Sequence, residues 1–351
     1  MFADSKAFVF LTGIFSNPLI ALILTLTGAS GLIFSLLLYS SKLIISKNLT
    51  QSAVQLVLPV NIPNAPVFFL PLEYFLSAIF VIVIVHEFSH AFVSIAHNIK
   101  VKSVGYGFLA FLPLGFAEPD EAKIRKAHSV VKSRIYAAGS FSNMLLTILL
   151  LLITFLIYTP AGFNYNGLIE NMPSSILPEK GTITQLNNIS IKTDYDFYNA
   201  IINYAPNQTI NLTVNNQKYN LKLASNPQNS SLPFIGIKTE KYITTEKSIK
   251  PEIEYVLSKL GFIGEGIINF INYLYLHLFW ILNLSFAICL VNILPIKHVL
   301  PLDGGFMFEE LLKKITSKKN TKKYSYYASV ITLLIILFNI IGPYLIRIFF
   351  D

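Results

Sequence analysis

The chain is predicted to be a polytopic α-helical membrane protein of about five to six transmembrane helices, with a small α/β domain inserted between them. Three observations carry this. Of its 351 residues, 53% are hydrophobic and only 13% charged, against roughly a quarter charged in an average soluble domain. Apolar windows long enough to cross a bilayer recur along the chain, and one long polar stretch with strand-like alternation interrupts them. With a mean hydropathy of +0.57, a water-soluble globule is excluded. So is a disulfide or zinc–thiolate framework, because Cys289 is the single cysteine. The net charge of +8 is read as membrane topology and not as nucleic-acid binding, since Lys and Arg collect in cytoplasmic loops.

A window of about 20 apolar residues crosses ~30 Å of hydrocarbon. Such windows fall at 18–40, 73–97, 135–158, 272–295 and 325–348. The first is read as one span with an interfacial lead-in at Asn17-Pro18; it is too long, and too poor in a small-residue cleavage site, for a signal peptide. Between Ile99 and Arg134 lie Lys100, Lys102, Lys123, Arg125, Lys126, Lys132 and Arg134; Pro295 to Lys323 carries Lys297, Lys313, Lys314, Lys318, Lys319, Lys322 and Lys323. Two spans separate these basic loops, so both are expected on the cytoplasmic side, with the amino terminus inside and residues 43–72 and 160–250 outside. Sequons at Asn48, Asn188, Asn207, Asn211 and Asn229 all fall in the expected external segments. They read equally well as chance products of an Asn-rich loop.

The polar stretch, about Gly162 to Thr239, shows alternating runs such as Thr182 to Leu186 and Ile210 to Val214, with Asn187-Asn188 and Asn215-Asn216 as turns and Asp196 to Ile202 as a short helix. Residues 252–271 read as a Gly-interrupted, half-apolar helix lying at the interface or dipping into the membrane. His97, His128 and His277 read as interfacial or solvated, and Trp280 with Tyr324, Tyr326 and Tyr327 as interface-belt residues. The expected organisation is a transmembrane anchor and external loop over 1–72, a first part of a membrane core over 73–160, the inserted domain over 161–245, and the second part of the core over 246–351.

The decisive feature is His86-Glu87-Phe88-Ser89-His90 at the end of an apolar helix. Histidines four apart project from one face, so both imidazoles reach a single Zn²⁺. Glu87, rotated by roughly 100°, sits beside the metal as a general base. Ionisable groups at bilayer depth cost on the order of 2.5 to 3.5 kcal/mol each, and are rarely kept without a function. A catalytic zinc takes three protein ligands, so a third His, Asp or Glu is required at the same depth. The best candidate is Asp303, in a segment that Pro295 and Pro301 break and Gly304-Gly305 relieve; the alternative is a surface turn with a solvated Asp. Topology favours the ligand, because both halves converge on the cytoplasmic third of the membrane.

HEFSH in a membrane helix, with Asn292 to Pro295 and Leu302-Asp303-Gly304-Gly305 far downstream, resembles the site-2 protease family of intramembrane zinc metalloproteases, and its archaeal members in particular. Residues 61–66, 115–121 and 137–143 add to the likeness. The resemblance implies one zinc ion held by His86, His90 and Asp303, with Glu87 activating water, and it implies that the inserted domain is PDZ-like and extracytoplasmic. Two departures stand out. The run from Pro295 to Asp303 is about three residues longer than usual and contains His298, a possible competing ligand; and Ser140 replaces the proline of the family's Gly-Pro-x-x-Asn, leaving Asn143 in position.

The implied function is hydrolysis of peptide bonds within or near transmembrane segments of membrane-protein substrates, in a multi-pass cell-membrane enzyme whose partners are those substrates and the lipid bilayer. A substrate helix has to unwind first. Val104 to Phe116, apolar and Gly-spaced, is either a membrane hairpin that takes substrate by strand addition or an ordinary re-entrant turn. Asn143 and Asn292 are candidate substrate-backbone clamps, or else interhelical hydrogen-bonding groups. The competing function is a non-catalytic, metal-stabilised membrane adaptor that binds partner tails through the inserted domain. A metal transporter is disfavoured because it needs more intramembrane carboxylates.

Overall fold

The computed structural model describes residues 31–42, 52, 54–62, 65–109, 112–239 and 245–350. The front of the first expected span, the amino terminus and the Asn48 sequon lie outside the described residues. The chain divides into two compact units, residues 1–151 with 276–351, and residues 152–275.

Four helices among the described residues are long and apolar enough to cross a membrane: α2 (Leu72–Ala96), α4 (Ser129–Ile157), α7 (Phe262–Asn292) and α9, which runs from Lys318 to Phe350 and is apolar enough over Lys318–Leu345. Only 17% to 28% of each apolar window is buried inside protein. The remaining apolar surface requires a lipid solvent. The shorter α1 (Gly31–Lys42) is the described part of the first expected span. Where helices touch, small polar side chains bond across them, as expected in a medium without water to compete. Ser285 donates to the Asn143 carbonyl at 2.8 Å, and Asn339 donates to Ser40 Oγ at 2.9 Å.

Two strands, β1 (Leu56–Leu58) and β2 (Val67–Phe69), pair in parallel before α2. After α2 the chain makes an antiparallel hairpin, β3 (Val101–Leu109) and β4 (Leu112–Pro119), that packs on α2. The short α3 (Glu121–Lys126), capped by Asp120, then leads into α4. The inserted unit holds an antiparallel sheet of β5 (Tyr158–Tyr165), β6 (Gly181–Leu186), β7 (Thr209–Val214), β8 (Gln217–Lys222) and β9 (Thr245–Ile249) in the order β8-β7-β6-β5-β9. Asn215 and Asn216, both at positive φ, turn the β7–β8 hairpin. Helix α5 (Asp194–Ile201) opens with a capping box between Thr193 and Asp196 and lays Phe197 on Phe163, ring centroids 4.5 Å apart. Phe163, Ile183 and Leu212, all fully buried, centre this core.

Three expectations change. Residues 252–271 form no single interfacial helix: α6 (Pro251–Ser258) stops short, Gly261 at φ +54° breaks the chain, and everything from Phe262 belongs to the span α7. Trp280 is buried, 5.3 Å from the Phe68 ring, instead of lying in an interface belt. His277 is partly buried and bonds Ser77 Oγ at 2.9 Å. A hydropathy window cannot see a helix face that a neighbour covers.

One further helix completes the membrane unit's second half. The segment after α7 doubles back, so that α8 (Asp303–Ile315) begins against the end of α7. A Cβ at Gly304 would overlap the Ile293 carbonyl, and one at Gly305 the Ile296 carbonyl, so the close approach requires glycine at both. The far end of α8 is tied down by charge. Glu309 pairs with Lys297 at 2.5 Å and Lys313 at 3.2 Å, and Glu310 pairs with Lys313 at 2.5 Å and Lys132 at 3.8 Å. The first basic loop therefore meets the second in space. Burial opposes the charge of Glu309, but hydrogen bonds and charge from Lys297 and Lys313 outweigh it and hold its carboxyl below the ordinary value of 4.5. Its contribution is complete above that ordinary value and is lost as pH falls through the lowered one. Glu310→Gln leaves Lys132 short of its buried partner while Lys313, half-exposed, keeps Glu309, and is expected to cost about 1.5 kcal/mol, read as a lower thermal midpoint in detergent at pH 7.

Candidate metal centre

The site is assembled from three elements of the membrane unit. Helix α2 places His86 and His90 one turn apart on one face. Asp303 is the first residue of α8, delivered there by the doubled-back segment. Helix α4 closes the third side with Ile135, Gly139, Ser140 and Asn143. The three residues stand at the corners of a small triangle, with a different carboxylate oxygen of Asp303 facing each imidazole. His86 Nε2 and His90 Nε2 are 3.2 Å apart, His86 Nε2 is 3.4 Å from Asp303 Oδ2, and His90 Nε2 is 3.5 Å from Asp303 Oδ1. Separations of this size suit an ion with bonds of ~2.0 to 2.1 Å, whose tetrahedral ligand–ligand edge is about 3.3 Å. The three residues form a group able to hold one metal ion.

The far side of each imidazole is also held. His90 Nδ1–H donates to the Ile135 carbonyl at 2.7 Å, which leaves the Nε2 lone pair directed at the triangle. His86 Nδ1 lies 3.1 Å from the amide of fully buried Asn143, whose Oδ1 lacks a partner when its nitrogen faces the ring. The two ends of an amide have nearly the same shape, and partners decide which is which. With Oδ1 toward the ring, Asn143 accepts Nδ1–H and His86 presents the same tautomer as His90. Gly139 makes the approach of α4 possible, since a Cβ there would overlap both imidazoles. Ser140 Oγ donates to Asp303 Oδ2 at 3.1 Å. The residue that departs from the family pattern thus orients the carboxylate.

Glu87 stands outside the triangle. Its Oε2 accepts the Ala117 N–H of β4 at 3.3 Å, which turns it toward the hairpin. His298 is exposed, with its ring 5.9 Å from that of Tyr326, and takes no place in the cluster. Asn292, half-buried, ends α7 and has no hydrogen bond to these residues among the described contacts. Three contributors were given no role from sequence: the Ile135 carbonyl, the missing Cβ of Gly139 and the hydroxyl of Ser140, which was noted there only as a departure. The Gly-Ser pair in an apolar helix, four and three residues before Asn143, is the signal for two of them. A backbone carbonyl carries none.

A model of peptidase family M50 matches residues 74–338, from the start of α2 to well inside α9, and so includes both halves of the cluster. The chain belongs to peptidase family M50. No individual curated protein matches it. As an M50 member it is an intramembrane metalloprotease of the site-2 protease type, zinc-dependent in class. The M50 chain carries its metal-binding group where α2 meets the start of α8 beside α4.

Proposed function

We propose that this chain hydrolyses peptide bonds in or beside transmembrane segments of membrane-protein substrates, with His86, His90 and Asp303 holding one zinc ion and Glu87 acting as the general base. The cluster of His86, His90 and Asp303, with a carboxylate one residue on from His86, is the observation that supports it. When bound, zinc supplies a Lewis acid that polarises a peptide carbonyl and makes water acidic enough to lose a proton near neutral pH. Glu87 takes that proton at its carboxylate and carries it to the leaving amine. The Ile135 carbonyl and Asn143 hold the two imidazoles in the tautomer that exposes Nε2. A substrate carbonyl inside a helix is already hydrogen-bonded, so the substrate is taken as an extended strand on β4, whose Ala117 N–H faces Glu87. Asn292, half-buried where α7 ends, remains a proposed backbone clamp; Asn143 acts through His86 instead.

The inserted α/β unit is proposed to be PDZ-like and extracytoplasmic, with the amino terminus and the active-site side cytoplasmic. The clustering of both basic loops around Glu309 and Glu310 supports a shared side for them. The test is metal analysis of the purified full-length protein together with cleavage of a model transmembrane peptide. One zinc per chain and cleavage that a chelator stops and zinc restores are expected. Cleavage indifferent to chelator sinks the reading. Ser140→Ala is expected to weaken zinc binding about tenfold, the lower end for an outer partner of a ligand, in competition against a chromophoric chelator. Ser140→Thr, which keeps the hydroxyl, should restore it.

A further inference from the structure

A cavity of about 430 Å³ lies between α2 and the β3–β4 hairpin, beside Glu87. Its α2 wall is Phe80, Ile84 and Phe88, which with Glu87 share one helix face by their spacing; Val104 and Phe116 supply the hairpin wall. Glu87 is the one ionisable residue in that lining. The volume is within the ~300 to 1,000 Å³ range of ligand pockets, so the walls leave room for a bulky group without rearrangement.

Register decides what that group is. Val104 pairs with Ala117, and Gly105 with Phe116. Because the Ala117 N–H goes to Glu87 and not across the hairpin, this edge of β4 faces α2. A peptide extended along that edge takes the Ala117 N–H in place of Glu87 and runs past the carboxylate it frees. Its side chains alternate between two faces, and the one on the cavity side, level with Glu87, belongs to a residue next to the bond being cut.

We infer that this cavity is the subsite for a bulky aliphatic or aromatic side chain flanking the scissile bond, and that Ile84 and Phe88 set the size it accepts. This rests on the proteolytic reading above and deepens it to a substrate class. The apolar walls favour Leu, Ile or Phe by the surface they bury. An Asp or Glu would be desolvated against the walls and face the Glu87 carboxylate, so acidic residues are excluded. Lipid chains are the other apolar occupant in a membrane, but they carry no reason to sit level with the base.

The test uses full-length protein in proteoliposomes and a model transmembrane peptide in which the two residues flanking the cut are varied in turn through Ala, Leu, Phe, Trp and Asp. At one of these positions Leu or Phe is expected to exceed Ala in kcat/KM by roughly tenfold or more, with Asp uncut. Ile84→Trp, which fills the cavity, should shift the preference to Ala with zinc content unchanged. Phe88→Ala, at a partly exposed position that tolerates truncation, should admit Trp. Cleavage without size preference at either position, or both variants keeping the wild-type order of substrates, overturns the subsite. A rate that follows lipid chain length and not the peptide side chain also overturns it, assigning the cavity to lipid. Zinc-dependent cleavage of none of the peptides overturns the proteolytic reading itself, and the subsite with it.

Discussion

Glu87→Gln is expected to lower kcat for a transmembrane peptide by about 10²- to 10⁴-fold, the usual span for losing a general acid–base, while zinc stays bound one per chain. The amide has the shape of the carboxylate and keeps an oxygen to accept the Ala117 N–H, so the docking of the hairpin on α2 survives. It cannot take a proton from water. Single-turnover cleavage with metal analysis of the same preparation separates the roles: unchanged cleavage removes Glu87 from the chemistry, and lost zinc makes it a ligand.

Asp303→Ala is expected to lower zinc affinity well beyond the ~10- to 100-fold of an outer partner, and cleavage should fall with it. The side chain supplies two of the three edges of the ligand triangle, to His86 and to His90. Gly304 and Gly305, which let α8 approach α7, are untouched by the change. His298→Ala serves as the control: an exposed ring beside Tyr326 should leave affinity within about twofold. If chelator competition ranks the two variants the other way, the third ligand is His298 and the long Pro295 to Asp303 run has reshaped the site.

Much of this architecture was legible because a bilayer is a severe solvent. Span-length apolar runs have no other stable home, and the windows near 73–97, 135–158, 272–295 and 325–348 correspond to α2, α4, α7 and α9 within several residues at most ends. The errors sit where amphipathic or polar turns extend an apolar helix. The basic first turns of α4 and the stretch from Phe262 carry helix beyond the hydropathic window, since intrahelical hydrogen bonds continue without lipid. Asn187, Asn215 and Asn216 were readable as turns because Asn tolerates positive φ. Trp280 was not readable as buried, because Phe68, its neighbour in space, lies far away in the chain.

The sequence by itself nominated the proposed metal-ligating pair and base, since His86, Glu87 and His90 sit within about one helical turn, where spacing dictates geometry. It also nominated Asp303, by depth and by the Pro and Gly residues around it. Only the tertiary structure decided that Asp303 joins the two histidines and His298 does not, that Asn143 and the Ile135 carbonyl meet the imidazoles, that Ser140 bonds the carboxylate, and that the hairpin forms a cavity with α2 beside Glu87. Each of these joins residues from different helices or strands. Which faces meet depends on how those elements pack, and periodicity along a single element does not encode it.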